Sequence, residues 1–217
     1  MVSNIKKSVK KKASKAKLAE DEYLVLKKRS RHESKVKGSK FIATAQTVNN
    51  QEEAEAFIAE IKKEFHDATH NCSAFTVKER GKSRVRYNDD GEPSGTAGRP
   101  ILQAIDSKNL SNTSIVVTRY FGGTKLGTGG LMRAYGGAAT ELIENADIEK
   151  IQITQTVSFT VSFDFVNMIH NIVGNFKGTM QETQYGDDVT FNVDLRKTKY
   201  NSFKEKLIEA TNGQVKF

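Results

Sequence analysis

Two short runs, residues 23–28 and 39–48, are rich in strand-forming apolar residues, and Gly38 punctuates the chain just before the second. Such runs read as strands, and a hairpin is the simplest way to join them. The pattern then changes. Ala54, Phe57, Ile58, Ile61 and Phe65 recur at intervals of three and four, which predicts a helix opening at Asn50 or Gln51. Its wet side carries Glu52, Glu53 and Glu55 first and Lys62 and Lys63 last, the order the helix dipole favours. Residues 66–71 lead to a short strand at 72–77, Gly81 marks a turn, and residues 84–87 continue extended. Pro100 is suited to open a short helix through Ile101, Leu102, Ala104 and Ile105. The run SIVVTRY at 114–120 is the strongest strand signal, and residues 131–145 form a helix burying Leu131, Tyr135, Ala138, Leu142 and Ile143.

From Ile151 the texture differs. Val157, Phe159, Val161 and Phe163 alternate as one strand, and Asp164 is placed to cap a helix with Phe165, Met168, Ile169, Ile172, Val173 and Phe176 on its apolar face. Residues 179–185 and 189–195 flank Gly186, Asp187 and Asp188, a tight hairpin signal. Residues 200–210 give a second amphipathic helix on Phe203, Leu207 and Ile208, ended near Gly213, with residues 214–217 as a last strand. The order is βαββαβ, the split pattern of a ferredoxin-like sandwich.

Hydrophobic residues make up 37% and charged residues 28% of the 217, the balance of a globular chain long enough for two small domains. The net charge of +8 is unevenly placed. Residues 1–40 hold fourteen Lys or Arg against four Asp or Glu, a local +10, which leaves −2 for residues 41–217. Residues 1–17 carry seven lysines and no acid, and read as a mobile arm that either neutralises RNA phosphates or only solubilises the chain. The expected organisation is a basic arm over 1–20, one domain over 21–147 and a second over 151–217. No apolar run approaches the roughly 20 residues of a membrane helix, and no apolar stretch follows the N-terminal lysines as in a secretory signal. Cys72 is the single cysteine, so an internal disulfide is excluded and the expectation is a cytoplasmic protein without membrane contact.

Two glycine-rich loops hold the candidate chemistry. In FGGTKLGTGG, residues 121–130, Gly122, Gly123, Gly127, Gly129 and Gly130 permit sharp turns or close approach just before a helix. Backbone N–H groups there, with Lys125 and the hydroxyls of Thr124 and Thr128, can receive an anion such as phosphate; a purely structural turn is the alternative. The spacing is neither that of a phosphate-binding P-loop nor that of a dinucleotide fingerprint. In NDDGEPSGTAGRP, residues 88–100, Asp89, Asp90 and Glu92 stand beside Ser94, Thr96 and Arg99. Three readings stay open for them: a divalent-cation or acid–base site, an acidic turn shaped by its neighbours alone, or loop support. In the last, Asp90 or Glu92 pairs with Arg99, Arg119 or Lys125 and joins the two loops into one surface. His66, His70 and Cys72 have zinc-donor chemistry but no evident fourth ligand, and Cys72 opens an apolar strand as a small buried residue would. No metal and no cofactor is expected.

Taken together, His70-x-Cys72, DDGEPSGTAGRP at 89–100, RYFGGTKLG at 119–127 and Arg133-Ala134-Tyr135 closely resemble the IMPACT/YigZ family, over residues 23–217. The resemblance implies an α+β protein of two domains. The N-terminal one would be similar to the second domain of a small-subunit ribosomal protein, and the ferredoxin-like C-terminal one to a domain of elongation factor G. Eukaryotic members regulate translational control by competing with an activator of an initiation-factor kinase; for bacterial members the implied partner is nucleic acid or the ribosome. The kinase role is not expected to carry over, because a lysine arm stands where those relatives have an extra partner domain. The expectation is therefore a translation-associated binding protein rather than an enzyme. Arg99, Arg119, Lys125 and Arg133 would contact phosphates, Tyr120 or Phe121 would stack on a base, and Gly122, Gly123, Thr124, Gly127 and Thr128 would line the anion-receiving backbone. Two rivals stay open: a metal-dependent hydrolase or phosphotransferase using Asp89, Asp90 and Glu92 on a small phosphorylated substrate, and a protein-interaction module acting on a translation factor.

Overall fold

The computed structural model describes residues 18–79 and 82–217. The basic arm read at 1–17 and the turn at Gly81 lie outside the described residues. The chain forms two compact units, Tyr23–Gln152 and Ile153–Phe217, and the stretch ending at Glu22 belongs with the second.

The first unit contains β1 (Glu22–Leu26), β2 (Ser30–Val36), β3 (Ser39–Thr47), α1 (Gln51–Glu64), β4 (His70–Glu79), β5 (Lys82–Asn88), α2 (Gly98–Ser107), β6 (Thr113–Tyr120), α3 (Gly127–Asn145) and β7 (Ile148–Gln152). Five of these strands make an antiparallel sheet in the order β2-β3-β6-β4-β5. β6 is central and buried on both faces except at Tyr120, which is why its sequence reads as a continuous β-branched run rather than an alternation. One face packs on α1, where Ala54, Phe57 and Ile61 meet Phe75, Val77 and Val116. The other packs on α2 and α3, where Ile101, Ile105, Leu131 and Tyr135 meet Phe41, Cys72, Ile115 and Val117. Asn50 caps α1 by accepting the Glu53 N–H at 2.7 Å, and Glu53 reaches back to the Asn49 N–H at 2.8 Å.

Two sequence expectations change here. β1 pairs with β7, not with β3, and the hairpin partner of β3 is β2. The sequence SRHESKV of β2 has polar residues on both faces and gives no alternation to detect. The second change is that α3 begins at Gly127, so the last four residues of the predicted glycine loop are its first turn.

The second unit contains β8 (Thr154–Val161), α4 (Val166–Phe176), β9 (Thr179–Tyr185), β10 (Val189–Arg196) and α5 (Tyr200–Ala210). Its sheet runs β8-β10-β9, all antiparallel, and a single bridge from Thr160 to Lys216 sets the chain end beside β8. That is the spatial order 4-1-3-2 of a ferredoxin-like domain, with the last strand reduced to one bridge. Phe159 lies 5.6 Å from Phe191 and 5.9 Å from Phe203 between ring centroids, at the centre of the core. Ser162, not Asp164, caps the helical turn ahead of α4, accepting the Asp164 N–H at 3.3 Å. Asp21 is buried in this unit and accepts from Arg196 Nη2 at 2.6 Å and Thr198 Oγ1 at 2.5 Å. The Arg196 guanidinium, then the Thr198 hydroxyl, hold its carboxyl far below the usual carboxylate range. Among the described residues no helix is long and apolar enough to cross a membrane.

Candidate nucleic-acid interface

The three carboxylates between β5 and α2 point to three different places. Asp89 accepts N–H groups of Gly95 at 2.8 Å, Ala97 at 2.9 Å and Gly98 at 2.8 Å, so it organises the loop that starts α2. Burial raises its pKa, but these three amides outweigh burial and the carboxyl sits below its ordinary value. Gly98 is obligatory: a Cβ there would lie 2.8 Å from the backbone N of Asn88. Asp90, at φ +48°, accepts from Lys62 Nζ at 2.5 Å and the Asn71 N–H at 2.6 Å. Here too burial raises the pKa and is outweighed, by the Lys62 ammonium and the Asn71 amide. Glu92 is buried, and its Oε1 accepts from Arg119 Nη1 at 2.5 Å and from the Tyr135 hydroxyl at 2.8 Å. The three therefore share no cation, and among the described residues no three of His, Cys, Asp and Glu are grouped to hold a metal.

Of the pairings expected between the two loops, that of Glu92 with Arg119 is present, while Asp90 pairs instead with Lys62. The Glu92 pairing also corrects the expectation that Arg119 contacts phosphate. Arg119 is only 5% exposed and sits between the rings of Phe41 at 5.7 Å and Phe121 at 5.6 Å, with Nη2 donating to Ser39 Oγ at 3.4 Å. Its charge is spent inside the protein. His70 donates from Nδ1 to the Asp90 carbonyl at 2.8 Å, since a carbonyl oxygen only accepts, and its Nε2 lies 3.9 Å from Glu92 Oε1. Cys72 is buried, donates to the Asp89 carbonyl at 3.0 Å, and has its thiol pushed up to about 12 by that burial. A buried, protonated thiol is a poor nucleophile, and among the described residues no three of His, Cys, Asp and Glu gather around a metal position.

The second loop divides in two. Its start is structural: the Phe121 N–H donates to Thr69 Oγ1 at 3.0 Å and the Gly122 N–H to Ser39 Oγ at 3.2 Å. A Cβ at Gly122 would lie 1.9 Å from the carbonyl carbon of Gly38, so the chain crosses the β2–β3 turn where only glycine fits. Tyr120 donates its hydroxyl to Asp67 at 2.7 Å and is tied to that carboxylate. At Gly123 and Gly127 the chain borders open space, with nothing within 4 Å of a Cβ placed on either, whereas a Cβ on Gly130 would meet Leu126 at 3.0 Å. Thr124, Lys125, Gly127, Thr128 and Gly129 are exposed. The first turn of α3 has no acidic residue and, among the described residues, no side-chain cap, so its leading N–H groups and the positive end of the helix dipole face outward.

Lys125 and Arg133 are exposed and make no ion pair with a described residue. Arg133 folds back over the turn: its Nη1 would be 3.6 Å from a Cβ on Gly129. Arg99, also exposed, sits in the first turn of α2, which packs on α3 where Pro100 meets Gly136. Thr96 is buried and donates to the Pro93 carbonyl at 2.6 Å, while Ser94 is exposed. Sequence reasoning missed Lys37. It is exposed at the β2–β3 turn beside Gly38, and only the Gly38–Gly122 crossing reveals that this basic residue stands by the loop.

The Impact N-terminal domain model matches residues 37–143, and a domain of unknown function, DUF1949, matches residues 159–214. IMPACT family member YvyE of Bacillus subtilis is 36% identical over 192 residues, 88% of each chain. The chain belongs to the IMPACT family. A further IMPACT family member, YigZ of Escherichia coli, is 31% identical over 183 residues, covering 83% of this chain and 89% of that one. The crystal structure of a hypothetical protein superposes with TM-score 0.62 at 27% identity, covering 90% of this chain and 96% of that one.

In this IMPACT family chain net charge alone does not separate the two units: residues 23–152 hold twenty Lys or Arg against sixteen Asp or Glu, residues 153–217 hold seven of each, and residues 1–22, grouped with the latter, hold seven against three. The open face of the second unit's sheet carries Thr156, Ser158, Thr190, Asn192 and Asp194, with no ring on which a base could stack.

Proposed function

We propose that this protein acts in translation by binding RNA, free or in the ribosome, through the exposed start of α3. One observation carries the reading: an uncapped, acid-free helix N-terminus built on glycines, with Lys125 and Arg133 beside it and uncommitted to any described carboxylate. Backbone amides at a helix start suit phosphate, and glycines let a phosphate approach the main chain closely. Thr124 and Thr128 add hydroxyl donors, Gly123 gives room, Lys37 and Arg99 extend the positive surface, and the exposed ring of Phe121 is available to a base. Contacts of this kind position a backbone without reading sequence, which fits a partner defined by shape. The family resemblance supports the setting in translation. An enzyme on a phosphorylated substrate is the weaker reading, because Asp89, Asp90 and Glu92 are turned to separate internal partners.

Ultraviolet crosslinking of the protein in cells, with mass spectrometry of RNA-bearing peptides, tests this. Adducts are expected between Phe121 and Arg133. Adducts confined to residues 153–217, or none above background, would overturn the proposal.

A further inference from the structure

The sheet of the first unit ends at β5, an edge away from the start of α3. Among the described residues β5 is bonded on one side only, to β4, and every side chain from Ser83 to Asn88 is exposed. The register shows which backbone groups are spent. The Lys78 N–H donates to Asn112 Oδ1, on the β6 side of β4, so Lys78, Thr76 and Ala74 face β6, and Val77, Phe75 and Ser73 face β5. Their register partners Arg84, Arg86 and Asn88 make the ladder bonds. Ser83, Val85 and Tyr87 then aim N–H and C=O groups away from the sheet, and no described residue bonds to them.

The side chains fall in two rows. On the α1 face, Arg84 donates to Gln51 at 3.2 Å and Arg86 to Glu55 at 2.6 Å, beside a hollow of about 260 Å³ floored by Ile58, Ala59 and Phe75. On the opposite face Val85 and Tyr87 are 51% and 48% exposed. Lys82–Asn88 includes no acidic residue, no proline and no break in its register with β4. Charge alone guards this edge, where many proteins add a bulge or a proline.

We propose that β5 is a docking edge for an extended segment of a protein partner, one that alternates acidic with apolar side chains. Added beside β5, such a strand pairs its backbone with Ser83, Val85 and Tyr87, and its pleat delivers one row of side chains to Arg84 and Arg86 and the other to Val85 and Tyr87. The Arg86–Glu55 pair is exposed and weak, so an incoming carboxylate can share the guanidinium. An RNA strand would use the arginines, Tyr87 and the outward N–H groups, but its backbone has no N–H to pair with the outward C=O groups.

The full-length protein, labelled with ¹⁵N, is titrated with a capped octapeptide alternating glutamate and valine. Amide shifts are expected along β5 and the adjoining turn of α1. Methylating the peptide nitrogens that face β5 should weaken binding about tenfold or more, and lysine in place of glutamate should do the same. Val85→Pro, which removes an outward donor and no ladder bond, should match that loss; the methylated peptide gives the answer on the unaltered protein if this variant folds poorly. No shift at β5, equal binding of the methylated or lysine peptide, or β5 shifts produced instead by oligouridylate and insensitive to Val85→Pro would overturn the proposal.

Discussion

The buried knot of Glu92, Arg119 and Tyr135 and the open first turn of α3 come from the same motif stretches, residues 89–100 and 119–135, yet they use charge in opposite ways. In the knot a guanidinium and a carboxylate are almost fully removed from water and paired with each other, while Arg119 Nε is left without a partner among the described residues. At the helix start the cations Lys125 and Arg133 stay in water and meet no described carboxylate. A motif's basic residues are thus not interchangeable evidence for a polyanion partner. Burial decides which of them hold the loops and which are free to bind.

Removing one partner of the knot should have the largest effect. Glu92→Ala leaves a buried guanidinium unpaired and should cost about 3–5 kcal/mol in urea denaturation, as should Arg119→Ala for the stranded carboxylate. Lys125→Ala and Arg133→Ala should stay within about 0.5 kcal/mol. Equal costs at the two places would erase the distinction.

The glycines sharpen it. Gly122→Ala drives a Cβ into the backbone of Gly38 and should cost about 3 kcal/mol or more, since no side-chain rotation relieves it. Gly129→Ala meets only the tip of Arg133 and should stabilise α3 by about 0.5–1 kcal/mol while weakening RNA binding. A stabilised Gly129→Ala protein with undiminished RNA affinity would mean that phosphate does not approach this backbone.

Acid should separate the regions next. The carboxyls of Asp89 and Asp90 are lowered in the folded protein, so their contribution is complete above the ordinary carboxylate pKa of about 4 and is lost as pH falls through the lowered values. Hydrogen exchange should therefore show the amides of Asn71, Gly95, Ala97 and Gly98 losing protection below about pH 4, with those of Gly127–Gly130 indifferent to that change. The smallest signal is chemical. Cys72, with its thiol pushed up to about 12, should resist a disulfide reagent at pH 8 until the protein unfolds, and a rapid native-state reaction would place it outside the core.

Much of the scaffold was legible because its periodicities are local. The spacing in α1 and α5 and the Gly186 hairpin of β9 and β10 needed no tertiary information. β2 was not legible, since its pairing with β3 leaves polar residues on both faces, and neither was the β1–β7 pairing, which joins strands more than a hundred residues apart. In the site, the burial of Arg119 did leave a trace. It shares a strand face with Ile115 and Val117, which belong to the core under α2 and α3, and that parity places it inside. Tyr135 left another: a tyrosine among Leu131, Ala138 and Leu142 on a buried helix face needs a partner for its hydroxyl, and Glu92 is that partner. Which loop amides stay open, and that Lys37 stands beside them, depends on the crossing of Gly38 and Gly122 and is written in no local pattern.

The central claim is tested most directly by the salt dependence of affinity for single-stranded RNA, comparing the native protein with Lys125→Ala/Arg133→Ala. Losing two phosphate contacts should weaken binding and reduce the slope of log affinity against log salt by roughly 1.4, at about 0.7 per contact. Coincident curves of equal slope would contradict it.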